Sequence, residues 1–355
     1  MHKHHRVLRT VAETPWAITE EKLAEINGFM DRVRAGDLGV EAAARAEFAP
    51  AEERPRVRVG SVEIIPVQGV IAQKMNLFSD ISGGTSTELL AQQIQRAVDD
   101  SQVQTILLDI DSHGGSVFGV LELCDFMLQA RAKKRIVALA SPYAASAAYW
   151  IAASASEIVV APSGMVGSIG VLMTHTEYTK AFEMQGIKTT IIRAGKYKVE
   201  TNPYEPLNDD ARAHLQAQCD EYYEMFVKGV ASGRGVDPRT VRSSFGQGRM
   251  VMAAEAKTLG MADRLGTLDS TLGRLLMRGA RETGGKSAAA TVRDFEAFLR
   301  DEGSLSNSEA KRIASLAFKT EPPSETGAAE PAPQTGVDEQ ETRKALRAYV
   351  DQLQK

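Results

Sequence analysis

Cysteine is nearly absent from this chain: Cys124 and Cys219 are the two it has. That excludes a disulfide framework, and the pair reads as small buried or half-buried side chains in a reducing cytoplasm. A surplus of charge is missing too. Lys and Arg number 42 against 46 Asp and Glu, a formal net charge of −4, so no basic balance points to nucleic acid. There is no Cys/His set with metal-ligand spacing, no Gly-x-Ser-x-Gly elbow, no Walker phosphate loop and no His-Glu-x-x-His. The opening MHKHHRVLRT lacks an apolar core, so no secretory signal is expected, and His2, His4 and His5 read as solvated. Ile136 to Ala155 runs 20 residues without a formal charge, the length of a membrane span. It is built mostly of Ala and Ser and contains Pro142, so it reads instead as a buried strand followed by a buried helix.

What is present is an alternation of strands and helices. Apolar runs predict strands at Val62–Val67 continuing through Gly69-Val70-Ile71, and at Thr105–Ile110, Arg135–Ala140, Glu157–Ala161, Ile169–Met173 and Lys188–Ile192. Between them, helices are expected at Thr87–Val98, Val117–Ala130, Ala147–Ala155 and Tyr178–Met184, followed by Asp209–Ser232 and Ala253–Gly260. This order implies a parallel sheet with helical crossovers. Residues 1–56 read as a helical arm, capped at Thr19, with a linker at 48–56. Residues 57–280 form the dense domain. Residues 281–355 read as a tail of short helices, Arg293–Arg300 and Ser308–Phe318, then a linker at 321–340 with four prolines, five acidic residues and no basic ones, and a last helix at Thr342–Gln354.

Three segments carry chemistry. Tyr143-Ala144-Ala145-Ser146-Ala147-Ala148-Tyr149 puts a serine among small residues where a strand gives way to a helix. A nucleophile needs such clearance, and the helix start favours a developing anion; a plain serine N-cap has the same pattern. Gly195-Lys196-Tyr197-Lys198 places two lysines in a Gly-led loop. A lysine acts as a base only when burial brings an ammonium pKa near 10.4 down to about 7–8; otherwise it is an exposed surface charge. The two lysines are an even step apart, and spacing alone does not choose between them. Ser112-His113-Gly114-Gly115 reads as a turn able to aim backbone N–H groups at an oxyanion, or as an ordinary loop. A further turn, Gly167-Ser168-Ile169-Gly170, would shape the site. A serine with an unprotonated lysine suffices for amide hydrolysis. A dyad of Ser146 with His113 or His175 is the other pairing the residues allow.

In this order the segments resemble the signal peptide peptidase A family of serine–lysine peptidases, in the Clp/crotonase superfamily. The likeness runs from about Val62 to Leu276 and includes Gly-Ser-Ile-Gly-Val, Gly-x-Tyr-Lys and the segment from Ala254 to Gly266. It implies Ser146 as nucleophile, Lys198 as general base, and Gly114, Gly115 and Ala147 as oxyanion donors. Two positions depart from the family pattern. His113 stands where proline is usual, and Ala147-Ala148 follow the serine where Gly-Gly is common.

Thr14-Pro15-Trp16-Ala17-Ile18 and the stretch from Phe295 to Leu316 look like phage and prophage members, head-maturation proteases of the minor capsid protein C type. The expectation is therefore an α/β Clp/crotonase-like core with a helical arm and a partly disordered tail. Its function would be that of a serine endopeptidase of phage head assembly, acting on scaffold, portal or capsid proteins and on its own tail. A homo-oligomer is expected, without metal, cofactor, nucleic acid or membrane, in the host cytoplasm or the assembling head. Three alternatives share parts of the pattern: a soluble signal-peptide or general peptide-degrading peptidase, a crotonase-like acyl-CoA enzyme, and a non-enzymatic capsid scaffold protein.

Overall fold

A computed structural model describes residues 14–34, 57–74, 84–282, 296, 300 and 306–320. The expected linkers at 48–56 and 321–340 and the helix at Thr342–Gln354 lie outside these residues, as does most of Arg293–Arg300.

The elements in chain order are β1 (Trp16–Ile18), α1 (Glu20–Arg34), β2 (Val57–Val59), β3 (Val62–Ala72), β4 (Thr85–Ser86), α2 (Thr87–Asp99), β5 (Thr105–Ser116), α3 (Val120–Lys133), β6 (Arg135–Ala145) and α4 (Ala147–Ala153). Then come β7 (Glu157–Val160), β8 (Met165–Gly167), α5 (Thr179–Met184), α6 (Asp209–Arg234), α7 (Pro238–Ser244), β9 (Met250–Met252), α8 (Ala253–Thr258), β10 (Arg264–Leu265), α9 (Leu268–Glu282) and α10 (Asn307–Thr320). The sheet runs β10-β7-β6-β5-β3-β2, parallel from β10 to β3, with β2 antiparallel at its edge. The expected α/β architecture with a mostly parallel sheet is what the chain forms.

Both faces of the sheet are covered, which is why its strands are apolar without alternation. Ile106, Leu108 and Ile110 of β5 join the larger core with α2, α3, α4 and α6, whereas Leu107 joins Val137, Val159 and the residues of α9 and α10 on the opposite face. The 20-residue uncharged run is β6 and α4, buried at nearly every position. No helix among the described residues is long and apolar enough to cross a membrane. Helix α4 is pressed between the sheet and α6. Trp150 stacks on Phe226 with ring centroids 4.7 Å apart, and α6 passes so close that a Cβ on Gly229 would stand 2.1 Å from the Trp150 indole nitrogen. Cys124 is buried within this core, and burial pushes its thiol up to about 12, leaving it an inert apolar filler.

The structure departs from the sequence reading at several places. Ser112–Gly115 is not a turn. It is the last part of β5, paired with β3 through Val70↔Gly114 and Ile71↔Gly115 and with β1 through Ala17↔Gly115 and Ile18↔Gly114. Gly-Gly signals a turn locally, but partners on both sides hold it extended. Ile169–Met173 is not a strand; within it Leu172 forms a single bridge, to Trp16. Lys188–Ile192 pairs with no strand among the described residues either, and Ile192 is 96% exposed. Helix α3 starts at Val120 rather than Val117 because Gly119, at φ 78°, turns the chain there. The flanking segments both reach the core: β1 joins the sheet, and Ala310, Ile313 and Ala314 of α10 pack with Leu275 and Leu276 of α9.

Helix α6 is tied to β7 by Asp263. Its carboxylate accepts two hydrogen bonds from Arg234, at 2.7 and 2.9 Å, and one from the Ile158 N–H at 2.7 Å. Burial alone would raise the Asp263 carboxyl, but these donors outweigh it and hold it below the ordinary carboxylate value of 3.8. A depressed carboxylate stabilises the fold above its unfolded pKa and loses that contribution as pH falls through the folded one. Asp263→Asn is therefore expected to cost about 1–3 kcal/mol at neutral pH, since it breaks hydrogen bonds to a charged group. Denaturant unfolding of the two proteins should converge as pH falls below about 3.8.

Candidate active site

Ser146 occupies the corner between β6 and α4 with φ 53° and ψ −118°. This backbone region is costly for any residue with a Cβ, on the order of 1–3 kcal/mol, and it persists only where the surroundings fix it. They do so here. The Ser146 N–H donates to the Gly167 carbonyl at 2.7 Å, and its own carbonyl accepts from the Trp150 N–H at 3.0 Å. The side chain does not cap the helix, although the residue sits at the N-cap position. Among the described residues its buried Oγ has no hydrogen-bond partner. A simple N-cap role is thus not the one the hydroxyl plays.

Facing Ser146 is the glycine end of β5. A Cβ on Gly114 would lie 3.0 Å from Ser146 Cβ and 3.0 Å from the Ala145 carbonyl, and its φ is +95°. Only glycine lets β5 come this near. Ser112 fixes the approach from within: its Oγ donates to the Gly69 carbonyl at 2.6 Å and accepts from the Gly114 N–H at 3.1 Å. Gly115 lies against the backbone of Ile71, where a Cβ would be 1.9 Å from the carbonyl oxygen. Ala147, whose N–H begins α4, is fully buried. The structure therefore brings Ser146, Gly114, Gly115 and Ala147 to one place.

It does not bring Lys198 there. Lys198 lies on an exposed turn, its N–H donating to the Gly195 carbonyl, and among the described residues Ser146 Oγ has no hydrogen-bond partner. Lys196 is exposed as well, with Nζ 4.6 Å from the centroid of the Tyr197 ring. The histidine alternatives are engaged elsewhere. His113 Nδ1 is 3.4 Å from Thr19 Oγ1 and its ring leans on Tyr143, while His175 Nε2 faces the Asn202 carbonyl at 3.3 Å. Among the described residues no group of His, Cys, Asp and Glu could hold a metal.

One expectation is corrected. The small neighbours Ala144, Ala145, Ala147 and Ala148 predict clearance around the serine for a substrate. All five residues are at 0% exposure, and β1 lies beside them on Gly114 and Gly115. Sequence reasoning placed Ser112 in the glycine segment and Gly167 in a turn shaping the site, but not the Ser112 hydroxyl as the acceptor of the Gly114 N–H, nor the Gly167 carbonyl as the anchor of Ser146.

Comparison with known families places residues 129–279 on the model of peptidase family S49 and residues 68–178 on that of Clp protease. The chain carries an S49 peptidase domain. Ser146 and Lys198 both fall inside the S49 match, and the paired β3–β5 glycine segment inside the Clp match. Capsid assembly protease C of Escherichia phage lambda is 33% identical over 231 residues, 65% of this chain and 52% of that protein. Head-tail preconnector protein GP5 of Enterobacteria phage P21 is 34% identical over 184 residues, 51% of this chain and 37% of its own length. Protease 4 of Haemophilus influenzae is 24% identical over 248 residues, 69% and 38% respectively. The chain thus spans about half or less of the length of these relatives.

Ser112→Ala removes both of the bonds that seat Gly114 and leaves a buried N–H without an acceptor. The variant should lose about 1–3 kcal/mol of stability in chemical denaturation. A midpoint unchanged from the parent would show that Gly114 is held by strand pairing alone.

Proposed function

We propose that this chain is a serine endopeptidase in which Ser146 is the nucleophile and Lys198 the general base. The observation that carries the reading is Ser146 itself: a backbone-strained residue at a strand-to-helix corner, anchored through its own N–H and C=O, with its hydroxyl left unbonded against a glycine strand. Structural serines at helix starts spend the hydroxyl on the helix amides. This one keeps it for another partner.

In the reaction, neutral Lys198 Nζ takes the Ser146 hydroxyl proton as Oγ bonds to the scissile carbonyl carbon. The N–H groups of Gly115 and Ala147 hold the resulting oxyanion. Gly114, whose own N–H is committed to Ser112, keeps the strand in place. The C–N bond then breaks and the leaving amine takes the proton from Lys198. Water, deprotonated by Lys198, opens the acyl-enzyme, and Ser146 recovers its proton.

For this to happen the segment bearing Lys198 must move onto the site. The same segment exposes Met184 at 89% and Ile192 at 96%, apolar area that a second copy of the chain would cover. The dyad is then completed on homo-oligomerisation. The likeness to the lambda capsid assembly protease and the P21 preconnector supports a place in phage head maturation. Scaffold, portal or capsid proteins, and this chain's own tail, are the substrates, met in the host cytoplasm or the assembling head.

Cleavage of casein, followed by mass spectrometry, tests the chemistry. Ser146→Ala and Lys198→Ala should each lower turnover by at least about a thousandfold while leaving the unfolding midpoint in place. Wild-type turnover by Lys198→Ala would remove it as the base. Mixing the two inactive variants should restore part of the activity if a neighbouring copy delivers the lysine. A mixture as inactive as its components would place both groups of the dyad in one chain.

A further inference from the structure

Strand β1 lies in an unusual place. β5 is flanked by β3 and β6 along most of its length, but the pairing with β6 ends at Ser112↔Ala144, where β6 turns away into Ser146. Beyond that point β3 still covers one side of β5, through Val70↔Gly114 and Ile71↔Gly115. The other side is taken by Trp16–Ile18, antiparallel, with Trp16↔Ser116, Ala17↔Gly115 and Ile18↔Gly114. Trp16 also exchanges two hydrogen bonds with Leu172, at 2.9 and 3.0 Å, so β1 is paired along both edges.

The register sets what faces Ser146. Pro15 accepts from the Val117 N–H at 3.2 Å and Thr19 donates to the His113 carbonyl at 3.0 Å, both toward β5, while Trp16 bonds away from it. By the alternation of a strand, the Ala17 amide and carbonyl point toward β5, opposite Gly115. The Ala17 oxygen stands 2.2 Å, and Ser146 Cβ 3.0 Å, from the same point, the place a Cβ of Gly114 would occupy. Ala17 is fully buried in the main core. Trp16 and Ile18 pack in a separate cluster with Leu23, Val70 and Ala72. His113, which departs from the family pattern, touches Thr19 through its ring and holds the end of the same segment.

Resting on the peptidase reading, we propose that Thr14–Thr19 occupies this chain's own peptide-binding groove. It lies there as an extended substrate would, with the Ala17 carbonyl presented to Ser146. The groove then takes an incoming peptide as an antiparallel strand, with a small side chain at the position of Ala17 and bulky apolar ones on either side. Until β1 leaves, the nucleophile is covered. A tethered segment competes at an effective concentration on the order of millimolar, so a weakly binding peptide does not displace it.

The test uses the full chain carrying Ser146→Ala, with and without Ala17→Arg. A fluorescein-labelled peptide of residues 12–21 is titrated in and followed by anisotropy. The arginine does not fit the buried site of Ala17, so β1 is displaced and the peptide should bind at least tenfold more tightly than to the chain with Ala17. In the Ser146 background, Ala17→Arg should cleave casein at least tenfold faster, giving fragments that end in Ala, Gly or Ser. Thr19→Pro, which removes the N–H and hydroxyl bonded to His113, replaces Ala17→Arg if that variant has lost its cooperative unfolding transition. Equal peptide affinity in the parent and the folded variant would overturn the proposal, as would casein fragments ending mainly in bulky residues. The binding arm needs no catalysis. Tighter binding without casein cleavage by any Ser146 chain leaves the groove assignment standing and removes the peptidase. Casein cleavage at an equal rate with equal binding does the reverse.

Discussion

Everything at the site follows from the departure of β6 from the sheet at Ser146. A parallel sheet whose central strands are buried on both faces leaves no room for unpaired backbone, because each buried N–H or C=O without a partner costs about 1–3 kcal/mol. Where β6 turns into α4, the Gly114–Ser116 end of β5 loses the neighbour that would have continued the ladder. The resulting slot is one strand wide, beside the serine corner and lined with backbone donors and acceptors. Any extended peptide that enters it satisfies the sheet. In this structure Trp16–Ile18 does so.

The serine corner and the slot depend on each other. Ser146 holds its φ of 53° because the Gly167 carbonyl and the Trp150 N–H fix its backbone from two sides, and because α4 is clamped under α6 by the contact of Trp150 with Phe226 and Gly229. Strain of this kind is tolerated when many well-packed neighbours determine it together. Gly114 then closes the distance between β5 and Ser146 Cβ, which a side chain would hold apart. Removing the helix clamp or the glycine would relax the same corner from opposite sides.

How much of this was legible in the sequence varied with the range of the forces involved. Ser146 was visible as a serine between an apolar run and an Ala-rich helix, a local pattern that matches a local cause. β3, β5, β6 and α6 were visible because their apolar runs and caps are long. The Gly114-Gly115 segment reads as a turn because the residues that keep it in the sheet, Ile71 and Ala17, are distant in sequence. β1 was missed because three residues carry no measurable period. The strands expected at Ile169–Met173 and Lys188–Ile192 have apolar content without a partner to pair with, and the first survives as a bridge through Leu172 alone.

Lys198 shows the limit from the other direction. The Gly-x-Tyr-Lys pattern names it, yet the fold leaves it in solvent and, among the described residues, leaves Ser146 Oγ without a partner. A pattern can persist because of what a segment does in another arrangement of the molecule. The exposed Met184 and Ile192 on the same segment are unfavourable for a free surface and favourable for a covered one. On the proposed reading β1 fills the groove and Lys198 stands apart from Ser146, so two separate movements stand between this fold and a competent site. Each is driven by burying surface or pairing backbone that the present arrangement leaves open or fills internally. Binding of a partner can supply both at once. On that reading a peptide strand that replaces β1 would restore the ladder on β5, and packing that covers Met184 and Ile192 would carry Lys198 inward.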